Sequence, residues 1–316
     1  MKVLFFGSSD FSVPFIDTIY KSKHPIVLAV TNPDAKTGRG KKIAPNPVKI
    51  QSLKLGIKYY ELEKFDDFSI DFIKSNTFDI IVSVSYGKII PPQLLDIAGI
   101  KTVNVHPSIL PKYRGPSPIA TALLNGEKIT GISLIKIGKS LDTGDIYELK
   151  KIPVSVQDNY STLEAKIINT ATCMLKGFLD RFEKNNINSF SQRQSGISYT
   201  RIFTKKDTII DWNESCLNIF NRIRAFASKP GAMSLFKGRT VKILKAKIYD
   251  SELAGKESIY SPGEVVCAEK TGLIIKCGKK GGGFIILELI QPQDKKIMSH
   301  QDFINGYRVK AGDLFE

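Results

Sequence analysis

The chain has 316 residues, of which 42% are hydrophobic, so it is long enough for about two domains with a sizeable core. No stretch approaches the ~20 consecutive apolar residues of a membrane span, and the opening MKVLFFGSSDF lacks a signal-peptide cleavage site, so we predict a cytoplasmic protein. The 46 lysines and arginines against 31 acidic residues give a net charge of +15. This excess favours a polyanionic partner, nucleic acid before anionic lipid, although a lysine-rich proteome would produce the same composition.

The first elements predict the β-α-β opening of a doubly wound sheet. Lys2 to Phe6 is an apolar strand, Asp10 can cap the helix after it, and Ile26 to Val30 is the second strand. A dinucleotide site would need GxGxxG at the first turn, and GSSDFS does not supply it, so we exclude NAD binding. The four cysteines lack CxxC spacing and the three histidines are scattered, which predicts reduced thiols and no metal site.

A basic loop follows the second strand. Residues 32–45, NPDAKTGRGKKIAP, make a connection longer than the ~2–6 residues usual in βα units, and long loops in compact domains tend to be functional. A solvated basic loop and a phosphate-binding loop fit the residues equally well. The basic residues of the loop are Lys36, Arg39, Lys41 and Lys42.

The most informative stretch is the strand from Ile100 to His106 with the proline- and glycine-rich loop after it. The preceding β-branched run, Phe78 to Ser85, predicts a central strand that is buried on both faces and continues into YGKIIP. Because side chains alternate along a strand, Asn104 and His106 point to the same face. An amide and an imidazole at the carboxyl end of a strand indicate a reactive site, with a buried polar pair as the alternative.

A turn-rich loop, GKSLDTGDI, occupies residues 138–146, and a simple hairpin tip would also explain it. Ser161 and Glu164 predict a capping box at the start of a long helix. Residues 184–206 are polar and without periodicity, which indicates a linker. Short alternating strands with glycine turns between residues 207 and 316 predict a small barrel.

The region from Thr204 to Tyr249 carries ten lysines and arginines against three acids. Lysines on the outer face of alternating strands are normally just solvated, but the excess over acids favours a polyanion-binding surface. Our candidates for this surface are Arg222, Arg224 and Lys242.

The block NVHPSILPKYRGPSP, the motif LDTGD and the segment IDWNES…IFNRIRAFASKPGA resemble the 10-formyltetrahydrofolate-dependent formyltransferases, in order and over nearly the whole chain. The resemblance implies an α/β fold: a Rossmann-like, doubly wound, mostly parallel sheet in residues 1–183, a linker over 184–206 and an OB-like β-barrel in 207–316 that contacts tRNA. It implies transfer of the formyl group of 10-formyltetrahydrofolate to the α-amino group of methionyl initiator tRNA for translation initiation, without a metal.

The resemblance also implies roles for residues. When the amine attacks the formyl carbon, the tetrahedral intermediate carries an oxyanion, and Asn104 supplies a hydrogen-bond donor to it. Loss of one such donor typically costs ~10²–10³ in rate. His106 supplies a second donor or its proton. Asp142, which matches the first acid of the DTGD motif, orients or charges His106 and accepts the amine proton. The implied folate-binding residues are Ser108, Ile109, Leu110, Pro111, Tyr86, Ile89 and Ile90.

The basic loop matches an inserted loop that enters the tRNA acceptor stem in this family, so the resemblance implies acceptor contacts for Lys36, Arg39, Lys41 and Lys42. We also predict a monomer, although the sequence contains no signal for oligomeric state.

Other formyltransferases and a hydrolase would share the same three catalytic residues. The basic loop and the basic second domain argue against an enzyme for a small amine, such as glycinamide ribonucleotide or an amino sugar. A formyltetrahydrofolate hydrolase would usually carry an N-terminal regulatory domain. A non-catalytic nucleic-acid-binding protein would explain the charge but not Asn104, His106 and Asp142. Identifying the amine that is formylated separates all of these.

Overall fold

The computed structural model describes residues 1–37, 42–97, 99, 101–138, 140–184, 187–227, 230–249, 259–279 and 281–316. The fold divides into two compact units, each made of three segments. The first unit comprises Met1–Pro116, Ile129–Pro153 and Ala165–Thr200, and the second comprises Ser117–Lys128, Val154–Glu164 and Arg201–Glu316. No helix within the described ranges has the length and apolar character needed to cross a bilayer.

The first unit is built on a twisted sheet of seven strands. Its strands are β1 (Val3–Gly7), β2 (Ile26–Thr31), β5 (Tyr59–Glu61), β6 (Ile80–Val84), β7 (Lys101–His106), β8 (Ile129–Ile135) and β9 (Ile146–Pro153), and a separate antiparallel pair is formed by β3 (Ala35–Thr37) and β4 (Lys42–Ala44). The spatial order is β5-β2-β1-β6-β7-β8-β9. The pairs from β5 to β7 are parallel, and β8 and β9 are added antiparallel. The predicted doubly wound, mostly parallel sheet is therefore confirmed.

Helices connect these strands. They are α1 (Val13–Tyr20), α2 (Pro47–Leu55), α3 (Asp67–Lys74), α4 (Pro92–Leu95), α5 (Pro118–Leu124) and α6 (Tyr160–Glu183). The predicted capping box at Ser161 and Glu164 is wrong. The box forms two residues earlier, where the amide oxygen of Asn159 accepts from the backbone N–H of Thr162 at 3.1 Å and the Thr162 hydroxyl accepts from that of Asn159 at 3.0 Å.

Strands β6 and β7 bring the predicted site segments to the same edge of the sheet. All five residues of β6 are buried, as the β-branched run predicts for a strand covered on both faces. Ser83 of β6 lies opposite Asn104 of β7 in the parallel register. The loops that follow these two strands therefore leave the sheet side by side, at its carboxyl edge.

The second unit contains helix α5, a six-stranded antiparallel sheet and two further helices. Its elements are α7 (Cys216–Phe226), β10 (Ala232–Phe236), β11 (Arg239–Tyr249), β12 (Val265–Glu269), β13 (Gly272–Lys276), β14 (Phe284–Pro292), β15 (Met298–Ser299) and α8 (His300–Tyr307). The main path runs β10-β11-β14-β13-β12. Leu314 pairs with Glu264 just before β12, and Phe315 pairs with Phe236 of β10, so one segment ties both edges of the sheet together. This closure gives the predicted barrel-like domain.

Candidate active site

Asn104 and His106 meet around the side chain of Asp142. The amide nitrogen Nδ2 of Asn104 donates to Oδ1 of Asp142 at 3.3 Å, and Nδ1 of His106 lies 3.4 Å from Oδ2 of the same carboxylate. His106 is 4% exposed and Asp142 9%. The alternation along β7 puts Asn104 and His106 on one face, as predicted, and the loop after β8 brings the acid to them from 36 residues beyond His106 in the sequence.

Both ring nitrogens of His106 face acceptors. Nε2 lies 2.9 Å from the backbone carbonyl oxygen of Tyr113. A carbonyl oxygen only accepts, so Nε2 carries a proton in this bond. Nδ1 faces the carboxylate at a distance longer than a typical hydrogen bond, and such contacts often tighten only when the reacting groups are bound. The His106–Asp142 pair is thus a place where one proton can be held between an imidazole and a carboxylate.

The backbone around Asp142 is in a left-handed conformation, with φ +54°. Non-glycine residues adopt this region rarely, and Asp and Asn tolerate it best. The backbone N–H of Gly115 donates to Oδ2 at 2.8 Å, which helps to fix the carboxylate. Two residues further on, a Cβ added to Gly144 would overlap the carbonyl oxygen of Lys136, so this position of the motif requires glycine.

The predicted folate-binding loop SILP begins two residues after His106 and is hydrogen-bonded within the first unit. The Ser133 hydroxyl donates to the carbonyl oxygen of Ser108 at 2.8 Å and accepts from the backbone N–H of Leu110 at 3.2 Å. Ser108 and Leu110 are buried, whereas Ile109 and Pro111 are half-buried. Side chains at positions 109 and 111 are therefore the part of this loop that a ligand can reach.

The YGKII segment follows β6 at the same sheet edge. Tyr86 is 2% exposed, its ring packs edge-on against Phe6 at 5.0 Å between centroids, and Ile90 is also buried. Ile89, by contrast, is 65% exposed. Ile89 is thus the member of this segment that an apolar ligand surface can cover.

Several site contacts come from residues that the sequence did not single out. Gln192, in the stretch predicted as a linker, donates from Nε2 to the carbonyl oxygens of Asp142 and Gly144, both at 2.8 Å. Its Oε1 accepts from Nη2 of Arg114 at 2.7 Å. Tyr113 contributes the carbonyl that His106 contacts. No local pattern marks Gln192, because its partners lie far away in the sequence.

The predicted tRNA-binding residues are the four basic residues of the loop, Lys242 of the second unit and two arginines of α7. Arg39 and Lys41 lie outside the described residues, and Lys36 and Lys42 belong to β3 and β4. Lys242 lies on β11 and is half-buried.

The structure favours internal roles for the other two predicted tRNA contacts. Nη1 of Arg222 donates to the carbonyl oxygen of Asp207 at 2.7 Å, and Nη2 pairs with Glu214 at 2.8 Å. Arg224 is 8% exposed, and its Nη1 donates to the carbonyl oxygens of Ser155 and Asp158. Burial also lowers the pKa of the Arg224 guanidinium. Because these donors are used inside the second unit, we leave both arginines out of the tRNA surface.

Comparison with known proteins identifies the family. The model of the formyl transferase family matches residues 1–177, and that of the formyl transferase C-terminal domain matches residues 202–308. A solved N-formyltransferase from Helicobacter canadensis, in complex with folinic acid and dTDP-3-aminofucose, is 21% identical, with a TM-score of 0.64 and coverage of 92% of this chain and 99% of that one. At this identity the likeness shows the shared fold.

Full-length relatives narrow the assignment. The methionyl-tRNA formyltransferase of Sulfurihydrogenibium sp. (strain YO3AOP1) is 38% identical over 319 residues, and that of Dictyoglomus thermophilum is 39% identical over 323 residues. Both alignments cover 100% of this chain and 100% of the relative. On this similarity, together with the two domain matches, the chain belongs to the methionyl-tRNA formyltransferases of the formyl transferase family.

Proposed function

We propose that the protein transfers the formyl group of 10-formyltetrahydrofolate to the α-amino group of methionyl initiator tRNA, giving N-formylmethionyl-tRNA. The observation that carries the proposal is the convergence of Asn104 and His106 on the Asp142 carboxylate in a chain that matches methionyl-tRNA formyltransferases over its full length. The fold alone would serve other formyl acceptors, so the choice of acceptor rests on the full-length relatives.

The three side chains have the chemistry that amine formylation needs. An α-amine has a pKa near ~7.7–8, so it must lose a proton to attack and to complete the transfer. The His106–Asp142 pair takes up the amine proton, directly or through a water molecule. As the new C–N bond forms, the bond between the formyl carbon and N10 of the folate breaks, and N10 of the departing tetrahydrofolate takes a proton in turn. The amide of Asn104 carries two N–H donors, of which Asp142 takes one and the other stabilises negative charge on the formyl oxygen.

The residues at the sheet edge fit a formyl-bearing folate. When bound, 10-formyltetrahydrofolate supplies an electrophilic formyl carbon on N10, next to the flat, apolar benzene ring of its p-aminobenzoyl group. Exposed Ile89 and the half-buried side chains of Ile109 and Pro111 offer apolar contacts for such a ring. The other four predicted folate-binding residues have buried side chains, so we expect them to line the pocket through their backbone groups. These residues are Ser108, Leu110, Tyr86 and Ile90.

Binding of tRNA is assigned to the basic loop and to the second unit. The net charge of +15 favours association with a polyanion through release of counterions. We assign contacts with the acceptor stem to the four basic residues of the loop, Lys36, Arg39, Lys41 and Lys42. We assign a contact with the phosphate backbone of the tRNA to Lys242. We further propose that the protein acts as a monomer in the cytoplasm, where aminoacylated tRNA is available; light scattering at assay concentrations tests the oligomeric state.

The decisive experiment offers the protein 10-formyltetrahydrofolate together with competing acceptors. These are methionyl initiator tRNA, methionyl elongator tRNA, glycinamide ribonucleotide and a nucleotide-linked amino sugar. We expect formylation of the initiator tRNA, at a rate that falls as salt rises. Formylation of a small amine instead, with the initiator tRNA left unmodified, would overturn the proposal.

A charge-matched pair of variants tests the basic loop. Replacing its four basic residues by alanine should raise KM for tRNA and spare folate binding. The control replaces four exposed lysines elsewhere in the first unit, so that the net charge is the same: Lys21, Lys54, Lys64 and Lys74. An equal rise in KM for both proteins would reduce the role of the loop to general charge.

A further inference from the structure

Gln192 is a buried amide in a segment that lies between the two family matches. The matches end at residue 177 and resume at residue 202, yet residues 187–200 belong to the compact first unit. The segment is mostly polar and its neighbours Ser191 and Arg193 are exposed, whereas Gln192 is 7% exposed. A polar side chain buried in this setting needs partners for all its hydrogen-bonding groups.

The Gln192 side chain makes four hydrogen bonds and so uses its amide fully. Its nitrogen donates to the carbonyl oxygens of Asp142 and Gly144, both at 2.8 Å. Its oxygen accepts from Nη2 and Nε of Arg114, at 2.7 and 3.2 Å. Arg114 is itself 7% exposed. A buried network that is satisfied in this way is rigid, and removing one member leaves the others without partners.

These bonds hold the backbone on both sides of Thr143, and therefore the residue that presents the carboxylate. Asp142 sits at φ +54°, a conformation that persists only when its surroundings fix it. Gln192 binds its carbonyl, and Gly115, the neighbour of Arg114, binds its side chain. One network thus connects the two loops that meet at the carboxylate.

The same segment also holds the residue that contacts His106. The backbone N–H groups of Tyr113 and Arg114 donate to the hydroxyl and the carbonyl of Ser198, both at 2.9 Å, and the N–H of Thr200 donates to the carbonyl of Arg114 at 2.7 Å. The carbonyl of Tyr113 then faces Nε2 of His106. Both partners of the imidazole are consequently tied to residues 190–200.

We propose that Gln192 is a positioning residue for formyl transfer, which holds the Asp142 carboxylate at its distance from His106 and Asn104 by binding the carbonyls of Asp142 and Gly144. The inference rests on the proposed function for the reaction itself. It adds a residue outside both family matches to the active site. A shift of about 1 Å in a reacting group can cost on the order of 10²-fold in rate.

The test compares Gln192→Met, which keeps the length of the side chain and removes all four bonds, with Gln192→Glu, which removes both donors and keeps the pairing with Arg114. Gln194→Met is the control, because Gln194 is exposed in the same segment. We expect kcat to fall tenfold to a hundredfold in both Gln192 variants, with KM for tRNA and folate unchanged. Full kcat in a folded Gln192→Met protein, or a rise in KM alone, would overturn the proposal.

A double-mutant cycle separates positioning from a general structural effect. If Gln192 acts through Asp142, Gln192→Met should lower the residual kcat of Asp142→Asn by less than about threefold. Losses that multiply in full would show that Gln192 acts independently of the carboxylate, which contradicts the proposal. Thermal unfolding of each variant reports whether the fold is retained.

A measurement without substrates tests the positioning role of Gln192 separately from the proposed reaction. The chain has only three histidines, so the ring resonances of His106 can be followed by NMR and identified with a His106→Gln variant. They should move in Gln192→Met and stay in Gln194→Met. Unmoved resonances in a folded Gln192→Met protein would refute positioning, whichever amine is formylated. Failure of the wild-type protein to formylate initiator tRNA would refute the assigned reaction alone.

Discussion

The backbone N–H of Gly115 donates to Oδ2 of Asp142 at 2.8 Å, closer than either side chain that shares this carboxylate. The donor belongs to the main chain, so its position depends on the conformation of the loop rather than on a replaceable side chain. Gly115 has φ +108°, and an added Cβ would lie 2.8 Å from the carbonyl oxygen of Thr200. The geometry at the acid therefore requires a residue without a side chain at position 115.

We expect Gly115→Ala to lower both stability and kcat. Gly196 provides a matched control, because it too has positive φ, at +76°, but an added Cβ there meets nothing within 4 Å. Both variants carry the cost of a strained backbone, about 1–3 kcal/mol, and only Gly115→Ala adds the clash with Thr200. Thermal unfolding and turnover should separate the two. Equal losses would mean that the close approach of Thr200 does not matter.

Asp142→Asn should abolish most of the transfer without unfolding the protein. Asparagine tolerates left-handed backbone and keeps an oxygen for the Gly115 N–H, but it cannot take up a proton with His106. We expect kcat to fall by ~10²–10⁴, the usual contribution of an acid–base group. Asp71→Asn, on the exposed face of α3, is the control. Near-normal turnover in Asp142→Asn would refute the role given to this acid.

Asn104→Ala removes the proposed donor to the formyl oxygen. We expect kcat to fall by ~10²–10³, while KM for either substrate changes little, since the bond matters most where charge develops. Asn169→Ala, exposed on α6, should leave both constants unchanged. The kinetics are followed with saturating folate and varied tRNA. A loss expressed wholly in KM would assign Asn104 to substrate binding instead.

Stability should depend on pH through Tyr147. Burial, with a smaller effect of the nearby Asp145 carboxylate, raises the pKa of Tyr147 to about 12 from its ordinary value of 10.0. Between these two values the unfolded chain has lost the phenol proton and the folded chain has not, so the free energy of unfolding falls as pH rises through this window. Below pH 10 this contribution is fully present.

Tyr147→Phe should weaken that fall, because the ring still packs against Phe178 and Phe182 and no longer titrates. Tyr20→Phe is the control, since Tyr20 is 51% exposed. Denaturant unfolding at pH values from 9 to 12 measures the difference. The same pH slope in the wild type and Tyr147→Phe would contradict the prediction.

Local patterns predicted the parts of the site that local geometry determines. Alternation along β7 placed Asn104 and His106 on one face, and the β-branched run placed β6 in the centre of the sheet. The approach of Asp142 to His106 followed from the family resemblance, since no spacing rule connects positions 36 residues apart. The predicted capping box at Ser161 is wrong because Asn159 and Thr162 make the same reciprocal pair of bonds two residues earlier.

The remaining contacts depend on tertiary structure and carry no signal in the sequence. Gln192 lies 78 residues from Arg114 and 50 from Asp142, and a lone glutamine among polar residues resembles any linker position. The charge excess predicts Arg224 on a polyanion-binding surface, whereas the structure buries its side chain against the carbonyl oxygens of Ser155 and Asp158. A count of charged residues therefore identifies a binding surface only when the burial of each side chain is also known.

The hydrogen bonds made by residues 190–200 determine where this first unit can be joined to the C-terminal module of another enzyme. Ile146 pairs with Phe190, and Arg114 pairs with Tyr199, so both ends of this stretch are hydrogen-bonded to the first unit. A chimera that grafts a foreign C-terminal module onto this scaffold should make its junction after Thr200. A junction placed at residue 184 would also replace residues 190–200, which hold the catalytic loops in position.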